Sequence, residues 1–154
     1  MLVVFNFKNQ MSIKQQLELL EKFNQPMSKQ HQLIIAPIIP DYNVYHFDIA
    51  VQNLSIKGRN VGDLSPQHLK HYNINYAFVG HLERQKCLNE TTRIIRSKLD
   101  NALQKDIVPI ICVGNHENPI FECATYLDDL DLQDKHIIVA YEILSATLKG
   151  KKDY

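Results

Sequence analysis

Asn75-Tyr76-Ala77-Phe78-Val79-Gly80-His81-Leu82-Glu83-Arg84 runs from a wholly apolar segment into a glycine, a histidine and a charged helical start. Tyr76 to Val79 reads as a strand that ends at Gly80. A strand apolar at every position is buried on both faces, as a parallel strand covered by helices must be. The same kind of segment recurs on either side: Leu2-Val3-Val4-Phe5, Leu33-Ile34-Ile35-Ala36, Phe47 to Val51, Val108 to Val113 and Ile137 to Ala140. Helical patterns lie between them. Ile13 to Phe23 has apolar residues at Ile13, Leu17 and Leu20, with Leu19 and Phe23 offset, and Ser12 is placed to cap it. Ser65-Pro66 opens a short helix, with proline where its missing N–H costs nothing. Thr91 to Leu103 turns Ile94, Ile95, Leu99, Ala102 and Leu103 inward, and Phe121 to Leu130 completes the set. The segment from Leu148 to Tyr154 is polar and lysine-rich.

Six apolar strands alternating with amphipathic helices define an α/β domain with a parallel sheet. Doubly wound sheets and eightfold barrels share this pattern, and periodicity leaves both open. There is no solenoid-length repeat and no low-complexity linker, so 1–154 reads as a single domain.

Composition narrows the function classes. The 154 residues carry 17 Lys+Arg against 17 Asp+Glu and a formal charge of zero, with 45% hydrophobic and 22% charged residues. These values suit a globular core and argue against nucleic acid or an anionic membrane as partner. No apolar run reaches the ~18 residues of a membrane span, and Leu2 to Phe5 is shorter than a signal-peptide core. Cys87, Cys112 and Cys123 form no Cys-x-x-Cys pair, which indicates neither a disulfide framework nor a zinc ribbon. A reducing cytoplasmic setting is the expectation.

In parallel α/β folds the reacting groups sit just past the C-terminal ends of strands. Here those positions hold Asn6-Phe7-Lys8, Gln52-Asn53, Gly80-His81 and Tyr141-Glu142. A lysine, a histidine and a carboxylate leaving three strands at one end can converge on one small ligand. Other constellations carry less. His116-Glu117 lacks the second histidine of a zinc-protease helix, His68 and His71 read as a solvated face, and there is no phosphate-binding glycine loop or nucleophile elbow. No metal site and no cofactor are expected.

At these strand ends the sequence resembles triosephosphate isomerase. Tyr76 to Arg84 is similar to that family's histidine signature, with Leu82 where the family has serine. Asn6-Phe7-Lys8 resembles its Asn-Trp-Lys motif, and Ala36-Pro37, Gln52-Asn53, Cys112-Val113-Gly114 and Ala140-Tyr141-Glu142 match its later strand ends. Gly58-Arg59-Asn60-Val61-Gly62-Asp63 has the spacing of its third-loop motif, and Asn115 stands where a glutamate is usual.

The resemblance implies a TIM (β/α) barrel with about six of eight units, shortened at the C-terminal end and without the last two strands and their phosphate-binding loops. It implies an aldose–ketose isomerase of glycolysis and gluconeogenesis, interconverting dihydroxyacetone phosphate and glyceraldehyde 3-phosphate through an enediolate. Glu142 would then be the base and His81 the neutral group that polarises the carbonyl. Lys8 would supply positive charge, and Asn6 would hold Lys8 and line the pocket. Glu83 and Arg84 would brace these groups or contribute to a subunit interface. The reason for such a trio is physical. Removing a proton next to a carbonyl makes an oxyanion, which needs a base on one side and donors on the other.

After the glutamate the chain departs from the family. Ile143-Leu144-Ser145-Ala146-Thr147-Leu148-Lys149-Gly150 stands in place of the proline–tryptophan hinge and glycine-rich lid. The resemblance also implies a homodimer, here with altered third-loop contacts because Val61 replaces a threonine, or a second chain that supplies strands. The alternatives are a catalytically impaired relic or interaction module of the same family, and an unrelated open α/β binding domain.

Overall fold

A computed structural model describes residues 1–58, 60–114 and 116–142. Arg59, Asn115, the 143–150 segment read against the family's lid, and the lysine-rich end lie outside the described residues.

Six strands form one sheet: β1 (Leu2–Asn6), β2 (Gln32–Ala36), β3 (Asp48–Val51), β4 (Tyr76–Val79), β5 (Val108–Val113) and β6 (Ile138–Tyr141). Each pairs in parallel with the next, in the order β1-β2-β3-β4-β5-β6. That order decides between the two architectures the sequence left open. A doubly wound sheet reverses its strand order at a switch point, whereas a barrel winds in one direction. This is the barrel order, with six of the barrel's eight strands among the described residues.

Residue parity sorts the two faces of the sheet. Ile34, Ala36, Ala50, Phe78, Ile110 and Cys112 pack together on the inner face, with Val4, Tyr76, Ile138 and Ala140 beside them. The odd-numbered neighbours face the helices. Ile35, Ile49, Val51 and Ala77 share one outer cluster, and Val79, Ile111 and Val113 share another with Ile95, Leu99 and Tyr126. Asn6, Cys112 and Glu142 therefore all fall on inner-face positions at the C-terminal rim.

The helices are α1 (Ile13–Phe23), α2 (Pro66–His71), α3 (Leu82–Cys87), α4 (Thr92–Leu103) and α5 (Pro119–Leu127). Ser12 caps α1 in a full capping box with Gln15, Ser65 caps α2, and Thr91 caps α4. Helix α5 starts earlier than the apolar pattern suggests, because the Asn118 side chain accepts from the Ile120 and Phe121 N–H groups and Pro119 takes the first turn.

The stripe expected on α1 is also rotated. Ile13 and Leu17 are exposed, whereas Gln16 is buried at 1%. Its amide accepts from the Ile38 and Ile39 N–H groups and donates to the Ile39 carbonyl, which ties α1 to the segment after β2. On α4, Ile94 is only partly buried and Lys98 is buried instead.

Candidate active site

Asn6 ends β1 and turns its side chain back on the chain. Its Oδ1 accepts from the Lys8 N–H at 2.9 Å, and this bond holds Lys8 at φ 48°, a left-handed conformation uncommon outside glycine. Gln52, just past β3, donates to the Lys8 carbonyl at 2.8 Å. The lysine is thus fixed at its backbone from two strands.

With Oδ1 committed to Lys8, the Asn6 amide nitrogen is what faces His81, 2.7 Å from Nε2. An NH2 group can only donate, so Nε2 accepts. Only a neutral imidazole can accept, and its proton then sits on Nδ1. His81 follows β4 through Gly80 (φ +79°), occupies the N-cap position of α3, is 7% exposed and stacks on Phe78 at 5.0 Å between ring centroids.

Nδ1 faces a ring of acceptors. Glu142 Oε2 lies 3.6 Å away, Glu83 Oε2 3.8 Å and Cys112 Sγ 3.6 Å. Both carboxylate oxygens are buried and without a hydrogen-bond partner. Glu142 is placed through its backbone, since its N–H donates to the Val113 carbonyl at 2.8 Å as the chain leaves β6 beside β5.

Lys8 Nζ meets Glu83 Oε1 at 2.6 Å. Burial works against the Lys8 charge, but the hydrogen bond that Lys8 donates to Glu83 and the charges of Glu142 and Glu83 outweigh it, so its pKa lies above the ordinary lysine value. Burial likewise works against the Glu83 carboxylate, and Lys8 overcomes it, so the Glu83 pKa is lowered. Burial pushes the Cys112 thiol well up, with the Glu142 and Glu83 charges adding to the shift.

Lys8, His81, Glu142 and Asn6 stand at strand ends, Glu83 lies in the first turn of α3, and the fold gathers these residues at one rim. Arg84 points elsewhere. Its Nε donates to Glu90 Oε2 at 2.7 Å, in a cluster where Lys98 Nζ meets the same oxygen at 2.8 Å and Asn53 Oδ1 at 2.6 Å. Asn53 in turn donates to Asp63, so the cluster links the β3 end, the third loop, α3 and α4. Glu90 and Lys98 escaped sequence reasoning because a buried charge looks like any surface charge until its partner is known. Cys112 was read only as part of a strand motif. Its inner-face parity, two residues from Ile110, is the signal that places it beside His81.

The chain is matched over residues 1–151 by the family model for triosephosphate isomerase. A triosephosphate isomerase of Mesomycoplasma hyorhinis is 30% identical over 97% of this chain and 71% of its own length. One of Helicobacter acinonychis is 28% identical over 95% of this chain and 69% of its own length. One of Gloeobacter violaceus is 38% identical over 61% of this chain and 42% of its own. Even the relatives matched along nearly the whole chain extend beyond the aligned region.

Proposed function

Because the chain belongs to the triosephosphate isomerase family, we propose that it interconverts dihydroxyacetone phosphate and glyceraldehyde 3-phosphate. Glu142 moves the proton between adjacent carbons. Neutral His81 donates from Nδ1 to the carbonyl oxygen as negative charge develops there. Lys8, held positive by Glu83, stabilises the enediolate and the substrate phosphate, and Asn6 fixes both Lys8 and the His81 tautomer.

The observation that carries this reading is the approach of Glu142 Oε2 to His81 Nδ1 at 3.6 Å, across residues that meet only through the barrel order. A base and a neutral donor within one substrate's reach suit proton abstraction next to a carbonyl.

Phosphate grip and water exclusion fall to segments beyond the described strands. Among the described residues, β1 and β6 each pair with one strand only. Leu2 and Phe5 on β1, and Val139 and Tyr141 on β6, are 42–61% exposed. These edges take further strands, either from the same polypeptide or from a second chain, including a second copy.

A coupled assay in both directions tests the activity. Turnover that falls by about three orders of magnitude or more in Glu142→Gln is the expected result, given the scale on which essential general bases act. Equal rates in the two proteins would overturn the isomerase reading and leave an impaired relic or interaction module. Among the described residues no helix is long and apolar enough to cross a membrane.

A further inference from the structure

We propose that His81, Cys112 and Glu142 form a site for a thiophilic divalent cation such as Zn²⁺, and that its occupancy blocks the proton-transfer groups. The second half rests on the isomerase reading above; the first does not. One ligand atom from each residue lies within 4.8 Å of the other two.

Two edges of this triangle fit a tetrahedral ion. With metal–nitrogen, metal–sulfur and metal–oxygen bonds of about 2.0, 2.3 and 2.1 Å, tetrahedral angles put nitrogen about 3.5 Å from sulfur and about 3.4 Å from oxygen. The structure has 3.6 Å from His81 Nδ1 to Cys112 Sγ and 3.6 Å to Glu142 Oε2. The remaining sulfur–oxygen edge closes by movement of the Glu142 side chain, the most exposed of the three at 24%. Three protein ligands leave a fourth position for water.

The electrostatics favour a cation at this point. Glu142 Oε2 and Glu83 Oε2, both buried and without hydrogen-bond partners, face the same nitrogen. Lys8 is the opposing charge, and it is already paired with Glu83 Oε1. A carboxylate and a thiolate together neutralise a divalent ion, and the sulfur selects zinc over magnesium or calcium.

Binding releases one proton. The Cys112 S–H bond breaks, its electron pair goes to the metal and its proton goes to solvent. The His81 proton shifts from Nδ1 to Nε2, freeing the Nδ1 lone pair. Asn6 must then present Oδ1 to Nε2–H, so the Lys8 N–H loses its acceptor. The sequence offered no metal motif because these ligands come from three separate strand ends.

Titration of the whole protein with Co²⁺ tests the site. One equivalent is expected to give the intense visible absorption of tetrahedral cobalt and a thiolate charge-transfer band, with one proton released and both bands abolished by Zn²⁺. The bands should persist in a Cys87→Ser/Cys123→Ser protein. They should vanish in Cys112→Ser, with binding weakened ~100-fold or more, since even loss of a residue that only supports a ligand costs 10–100-fold. A spectrum that stays that of aqueous cobalt, or bands that survive Cys112→Ser, would overturn the site. The outcomes separate the two readings: cobalt bands in a protein that shows no turnover when metal-free keep the metal site and sink the isomerase, and turnover of the metal-free protein with no bands on titration does the reverse. Turnover undiminished by one bound equivalent would remove the blocking role alone.

Discussion

The Glu142 carbonyl oxygen occupies the space that a Cβ on Gly114 would need. Gly114 leaves β5 at φ +121°, and the backbone carrying the proposed base lies directly against it. The glycine is therefore a requirement of close approach and of conformation together, and it sets how near the end of β6 comes to β5.

Gly114→Ala should move Glu142 away from His81. We expect a loss of about 1–3 kcal/mol in stability from strain and overlap. Turnover should fall by about two orders of magnitude, the scale of a misplacement near 1 Å. Urea denaturation followed by circular dichroism, together with the coupled assay, reads both effects. An unchanged midpoint would show that the two backbones separate at little cost.

The Lys8–Glu83 pair gives a pH dependence with a definite sign. The Glu83 pKa lies below its usual 4.5 in the folded chain, so its contribution is complete above that value and is lost as pH falls through the lowered pKa. The Lys8 pKa lies above its usual 10.5, so its contribution is complete below that value and is lost as pH rises through the raised pKa. Both side chains are about one-third exposed, which keeps the pair to about 1 kcal/mol or less. The stability difference between the parent and Glu83→Gln should stay flat from about pH 5 to about pH 10 and shrink outside that window. A difference that grows in acid would contradict the pairing.

Gln16→Leu should cost about 1–3 kcal/mol although a leucine at that place would complete the apolar stripe of α1. The substitution leaves the Ile38 and Ile39 N–H groups without their acceptor. A urea midpoint equal to or above that of the parent would mean that burial of the leucine offsets the lost bonds.

Gln16 also shows where sequence reading stops. The strands were legible because apolar runs of this kind need cover on both faces, and the helix starts were legible from Ser12, Ser65 and Thr91. What the pattern could not show is a polar side chain whose partner is remote in sequence. Gln16 meets Ile39, Lys98 meets Asn53, and His81 meets Glu142 across 61 positions (142 − 81). Local hydrophobicity carries no record of such pairs. The resemblance supplied the rim residues one motif at a time, but the His81 tautomer follows only from the competition of Asn6 between Lys8 and the imidazole.

The Lys98–Glu90 pair is the costliest of these hidden contacts to break. Their side chains are 2% and 3% exposed, Arg84 shares the Glu90 Oε2 atom, and Glu90 Oε1 has no hydrogen-bond partner. Burial lowers the Lys98 pKa despite the opposing pull of Glu90. Glu90→Gln leaves the Lys98 charge buried without a counter-ion and should cost about 3–5 kcal/mol, and Lys98→Met, which leaves Glu90 paired with Arg84, should cost less. The double variant removes both charges, while Arg84, at 30% exposed, can turn to solvent. It should therefore be more stable than the two single losses added together by at least ~1 kcal/mol. Strict additivity in urea denaturation would show that the two residues act independently. The expected coupling would instead show that α4 is tied through this carboxylate to the segment that follows α3.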